Sequence, residues 1–229
     1  LLTGRDPDLV LYLVLTALVA TFLATLSFPQ QPDDASKEER SGIAVLLTQP
    51  QFVLFVITAS LLQASHAVLN GFSTLHWRAA GISETVIGGL WAEGVIAEIA
   101  LFSMSGFFVV RLGSIGLLGL AGISGIVRWT VLAQTTDLTA LAAVQVLHAL
   151  TFGAVHLGAM HYVARNAPLG LSVTAQGIYA SATGLAMGLA MVAAGGLFET
   201  FGGKAFFAMA AISATGTALV AVLWLQNRR

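Results

Sequence analysis

Gln63-Ala-Ser-His66-Ala67-Val-Leu-Asn70-Gly71 returns 82 residues later as Gln145-Val-Leu-His148-Ala149-Leu-Thr-Phe152-Gly153, each copy inside a long apolar stretch. Histidine occurs only five times in the chain, so the paired Gln and His carry the repeat; Ala and Gly are common here and add little. An offset of this length holds about three membrane helices with their turns. A unit of three crossings reverses direction when it is repeated, and many secondary transporters use such inverted repeats to build a site near the bilayer midplane. The repeat points to one half of such a bundle.

Composition agrees. The chain is 57% hydrophobic and 9% charged, with mean hydropathy +0.86, whereas soluble domains carry about 25% charged residues. A net charge of −1 offers no basic surface for nucleic acid. Cysteine is absent, which rules out disulfides and thiolate metal sites. The opening Leu-Leu-Thr-Gly has no basic region or cleavage site of a signal peptide, and the chain reads as part of something longer.

Seven apolar windows are expected to span, at 9–28, 51–75, 84–109, 114–133, 138–163, 172–197 and 204–226. The one sizeable polar piece, 29–50, carries Asp33, Asp34, Lys37, Glu38, Glu39 and Arg40 and reads as a charged, solvated linker. This divides the chain into a helix at 1–28, the linker, and a six-helix bundle at 51–229. Lys37, Arg40, Arg111, Arg165, Arg228 and Arg229 fall on one side, against Arg5, Arg78 and Lys204 on the other. The positive-inside rule then places linker and C-terminus in the cytoplasm. Trp77, Trp129 and Trp224, near helix ends, are expected at the interface. Seven helices also suit a retinal protein, but the only late lysine, Lys204, sits at a helix start.

Ionisable groups within spanning helices are costly, about 2.5–3.5 kcal/mol each on insertion scales, so they tend to face the bundle interior and mark a pathway. Glu98 falls near the middle of its window; Glu93 lies toward the outer side and on another face. Gln145, His148, Phe152 and His156 share one helical stripe, and Gln63, His66 and Asn70 belong to a comparable polar stripe in 51–75. Arg128 lies short of the outer end of its helix, where it could snorkel, pair with Glu93 or grip an anionic substrate in two-pronged geometry. Two glutamates against one arginine leave a negative charge that one bound proton neutralises. Glu98, His156 and Glu93 are therefore the candidates for proton coupling. Arg128, Gln63, His66, Asn70, Gln145, His148 and Phe152 are the candidates for substrate. The spacings of His148, His156 and His161 do not bring three ligands to one face, so no metal, cofactor or enzymatic role is expected. A ligand-binding membrane sensor without transport is the competing class.

The runs Gln63-Ala-Ser-His66-Ala67, Gly71-Phe-Ser73, Trp77-Arg-Ala-Ala-Gly81, Trp91-x-x-Gly94-Val-x-Ala97-Glu98 and Gly125-x-Val-Arg128-Trp129 resemble the phenylpropionate permease family of the major facilitator superfamily. So do Gln145-x-Leu-His148 and Thr151-Phe152-x-x-x-His156-Leu-x-Ala-Met160-x-Tyr162. That family is similar to the lactose permease and nucleoside–proton symporter branches. The resemblance implies an all-α inner-membrane protein, its last six helices a 3+3 inverted-repeat half of a major facilitator fold. It implies proton-coupled uptake of a small organic substrate, such as an aromatic carboxylate, by alternating access. An acid on the eighth helix, an arginine on the ninth and a histidine on the tenth would serve substrate and proton, which here are Glu98, Arg128 and His156. It also implies a further N-terminal half as partner, and only a thin remnant of the superfamily's basic loop at Val110-Arg111-Leu112-Gly113.

Overall fold

The computed structural model describes residues 7–25 and 42–227, which form helices and turns with no strand among them. The chain divides into two units, Leu1–Arg40 and Ser41–Arg229. The first contributes one helix, α1 (Pro7–Thr25), whose described side chains, such as Tyr12 and Phe22, are exposed. Arg5, Lys37 and Arg40 in the first unit, and Arg228 and Arg229 at the C-terminus, lie outside the described residues, as does the linker up to residue 41. The second unit begins inside the expected linker: α2 (42–47) is helical and fully buries Leu46.

Its remaining helices are α3 (Pro50–Ala64), α4 (Ala67–Ala79), α5 (Glu84–Ser103), α6 (Ser105–Gln134), α7 (Leu138–Gln145), α8 (Ala154–Asn166), α9 (Ser172–Phe201) and α10 (Phe206–Gln226). Pro50 opens α3, where its missing N–H costs nothing, and Asp137 caps α7 by accepting from the Ala140 N–H at 3.0 Å. Among the described residues, five continuous helical stretches are long and apolar enough to cross a bilayer: Pro50–Ala79, Glu84–Ser103, Ser105–Gln134, Leu138–Asn166 and Ser172–Gln226. The last runs unbroken through a 3₁₀ turn at Gly202–Ala205 that joins α9 to α10. Two of the expected windows, 172–197 and 204–226, thus join in one helical stretch, and the described residues of α1 contribute a shorter apolar stretch, Leu15–Thr25.

Boundaries move for local reasons. The window at 84–109 ends early, at Met104, and the helix resumes at Ser105. Gly113, at φ 64° and ψ −179°, then interrupts α6 where a turn was expected, in a conformation that suits a residue without Cβ. Both copies of the repeated motif also break their helix. In the first, Ser65 Oγ donates to the Leu62 carbonyl at 2.7 Å and His66 Nδ1 lies 3.0 Å from the Gln63 carbonyl. Side chains that engage local carbonyls compete with the helical ladder, and the chain turns at Ser65–His66. In the second, α7 stops at Gln145, Val146–Leu147 form a turn, and Ala149–Gly153 wind as a π-turn before α8.

Two apolar layers hold the bundle. One contains Phe55 stacked on Tyr162 at 4.0 Å, with Leu117, Leu118, Ala159 and Val220. The other contains Trp77, Leu90, Trp129, Leu141, Phe206 and Met209. Trp77 and Trp129 are thus fully buried and do not join an interfacial belt; Trp224 is 44% exposed. Trp129 is drawn inward because its indole N–H finds Ser65 Oγ at 3.2 Å and Ser213 Oγ at 3.0 Å. Glycines let helices close: a Cβ on Gly125 would lie 2.6 Å from Ser213 Oγ, which ties α6 to α10. Between the two layers, at 63–66, 128 and 145–151, lies a buried polar band.

Candidate functional site

The band is organised around Arg128. This residue is fully buried, so it does not snorkel. Its Nη2 donates to Gln145 Oε1 at 2.7 Å, and Nη1 donates to Thr151 Oγ1 at 2.8 Å and lies 3.2 Å from His148 Nδ1. The guanidinium also sits 4.9 Å from the Trp129 ring centroid. Its Nε has no hydrogen-bond partner. Among the described residues no carboxylate comes within 4.0 Å of it, so pairing with Glu93, one of the alternatives the sequence left open, is not made. A buried guanidinium has a large desolvation cost, which three directed hydrogen bonds and an aromatic face offset here.

Each partner is itself held. Gln145, the last residue of α7, donates its Nε2 to the Leu90 carbonyl of α5 at 3.0 Å, which fixes its Oε1 toward Arg128. His66, 1% exposed, has its Nε2 3.1 Å from Thr151 Oγ1 and its Nδ1 against the Gln63 carbonyl. The His66 and His148 rings meet edge-on at 5.9 Å, and Phe152 stacks on His148 at 5.4 Å with an interplanar angle of 10°. Gly94 admits His148 against α5, since a Cβ there would stand 3.2 Å from His148 Cβ. One turn further along α5, Glu98 Oε2 lies 3.6 Å from His148 Nε2, with the two side chains 17% and 15% exposed. Arg128, His148 and Glu98 therefore form a line from the closed interior toward a more open edge.

His66, Arg128, Gln145, His148, Phe152 and Glu98 are thus gathered in one region, which Gln63 joins through its backbone carbonyl against His66 Nδ1. Asn70, Glu93 and His156 are not: none hydrogen-bonds to the cluster, and Asn70 and His156 are exposed. His156 instead meets the Phe102 ring edge-on at 6.1 Å. The π-turn accounts for this. The shared stripe assumes 100° per residue, and a π-turn adds about one residue to a helical turn, rotating everything beyond it. Thr151, inside that turn, is the partner that sequence reasoning missed, together with Trp129 as the aromatic face of Arg128. The signals for Thr151 were its place within the second motif copy and at the head of the run Thr151-Phe152-x-x-x-His156. Among the described residues no group of three His, Asp or Glu is arranged to hold a metal ion.

The sequence model of the MFS_1 like family matches residues 4–209. The chain is 34% identical over 217 residues to the "Probable 3-phenylpropionic acid transporter" of Escherichia coli (strain K12), covering 93% of this chain and 57% of that protein. It is 25% identical over 163 residues to the "Uncharacterized transporter YwbF" of Bacillus subtilis (strain 168), covering 71% of this chain and 41% of that protein. The chain thus spans about half the length of the curated relatives it matches.

Proposed function

From the premise that the chain belongs to the MFS_1 like family, in the phenylpropionate permease group of the major facilitator superfamily, we propose that it forms the C-terminal half of a proton-coupled carrier. The family is one of multi-pass membrane transporters and not of enzymes. The helices of the second unit form one wall of a central cavity, and a further N-terminal half forms the other, with access alternating as the halves rock. The substrate is a small organic anion, an aromatic carboxylate by analogy with the name of the Escherichia coli relative. The linker and the C-terminus face the cytoplasm, as the basic residues suggest. No support favours the sensor alternative.

The observation that carries this reading is the line Arg128–His148–Glu98 between two apolar layers. Arg128 supplies a fixed positive charge behind the His148–Phe152 stack, and an anion reaches it once that pair shifts. Phe152 offers a flat apolar face to an aromatic ring. Glu98, at the open end of the line beside His148, takes the transported proton and releases it on the other side. Gln63, His66 and Gln145 hold the wall in shape around the substrate. Asn70 and His156, which are exposed, and the half-buried Glu93 join when the second half closes over it.

Glu98→Gln keeps the shape and some hydrogen bonding but cannot titrate. In the carrier that contains this chain, reconstituted in proteoliposomes, the variant should lose proton-driven accumulation and retain substrate exchange. Unchanged uphill transport would remove Glu98 from the proton path and make Glu93 the next candidate.

A further inference from the structure

The bonds around Thr151 allow only one direction of donation. Arginine has donors and no acceptor, and a carbonyl has acceptors and no donor. Thr151 Oγ1 therefore accepts from Arg128 Nη1 at 2.8 Å, which leaves its single hydroxyl hydrogen for another partner. The Gln63 carbonyl obliges His66 to carry its proton on Nδ1, 3.0 Å away. His66 Nε2 is then an acceptor and receives the Thr151 hydroxyl hydrogen at 3.1 Å. The alternative acceptor, the His148 carbonyl, is farther, at 3.4 Å. A second positive charge on His66 would set two cations on one hydroxyl away from water, so the neutral ring is the stable form.

The same nitrogen of Arg128 orders the other histidine. Nη1 has two hydrogens; Thr151 takes one, and the second faces His148 Nδ1 at 3.2 Å. His148 must then accept on Nδ1 and carry its proton on Nε2, the atom that faces Glu98 Oε2 at 3.6 Å. The repeated motif thus holds its two histidines in different states although the sequence around them is alike. We infer that the two rings stand in opposite neutral tautomers, His66 held protonated on Nδ1 by the Gln63 carbonyl and His148 on Nε2 by Arg128, with Thr151 the positioning residue whose hydroxyl joins Arg128 to His66 Nε2. His66, closed at both nitrogens, is the fixed member of the pair. His148 alone presents an N–H toward the carboxylate. The consequence for transport rests on the carrier reading above; the tautomers do not.

The test uses the protein labelled with ¹⁵N-histidine and reconstituted in lipid bilayers, with His66→Gln and His148→Gln to assign the rings by solid-state NMR. The wild type should show one ring protonated on Nδ1 and the other on Nε2. Thr151→Val, close in shape but without the hydroxyl, should shift the His66 Nε2 resonance, and Thr151→Ser should return it to its wild-type position. A common tautomer for both rings, or a Thr151→Val spectrum identical to the wild type, overturns the inference. In proteoliposomes of the carrier that contains this chain, Thr151→Val should lower the rate of proton-driven uptake about fivefold, the factor one net hydrogen bond is worth, and Thr151→Ser should restore it. If even the wild type accumulates no aromatic carboxylate, the carrier reading fails, and the spectra alone decide the role of Thr151.

Discussion

Removing Arg128 would strand three groups that now accept from it: Gln145 Oε1, Thr151 Oγ1 and His148 Nδ1. Each buried polar group left without a partner costs about 1–3 kcal/mol, and truncation also leaves a cavity. Arg128→Ala should therefore lower the stability of the purified protein by roughly 3–5 kcal/mol, read by denaturant titration in detergent micelles. Glu98 is different. Its closest polar partner is 3.6 Å away and its side chain is 17% exposed, so Glu98→Gln should leave the same transition within about 1 kcal/mol of wild type. Equal losses in the two variants would contradict this division between a cation on which the fold depends and a carboxylate on which it does not. Composition named both residues as unusual for a membrane helix. It could not separate them, because burial and partner geometry are supplied by other helices.

The π-turn at Ala149–Gly153 sets what each face of the seventh and eighth helices presents. It lets Thr151 turn toward Arg128 and His66 while His148 reaches Glu98. Deleting one residue from this turn would restore a regular helix and rotate α7 against α8 by about 100°. We expect the deletion variant to keep its far-ultraviolet circular dichroism and lose proton-driven uptake. Retained uptake would show that the turn is dispensable. The contact between α6 and α10 sets a second requirement. A Cβ on Gly125 would stand 2.6 Å from Ser213 Oγ and 3.3 Å from Trp129 Nε1, whereas one on Gly119 would sit 3.6 Å from Val220 Cγ1 in ordinary contact. Gly125→Val should therefore cost about 1–3 kcal/mol through overpacking, and Gly119→Ala should be tolerated, as compared by thermal denaturation.

Loops of the second unit gather at two ends of the bundle. One cavity of about 370 Å³ is lined by residues 112–116, 161, 165–166, 224 and 227; another of about 320 Å³ is lined by 76, 132–136, 201 and 203–204. Because the chain has no cysteine, single cysteines report the membrane side directly. Ser114→Cys and Asn166→Cys should react with an impermeant thiol reagent only from the cytoplasmic face, and Thr136→Cys only from the outer face. The reverse pattern would invert the orientation drawn from the basic residues. The sequence by itself determined the class of this protein. A chain with so little charge and such long apolar runs must satisfy its backbone within helices, and in hydrocarbon that constraint overrides everything else. It also marked the residues that lipid does not tolerate: Glu93, Glu98, Arg128, His66, His148 and His156. Only the tertiary structure decided which of these meet, because a contact across helices depends on rotation about each axis. One π-turn and one side-chain-induced break are enough to change that rotation. Thus His156 left the stripe, Thr151 entered the network, and Trp77 and Trp129 went to the interior, where neighbouring helices supplied apolar surface and, for Trp129, two hydroxyl acceptors.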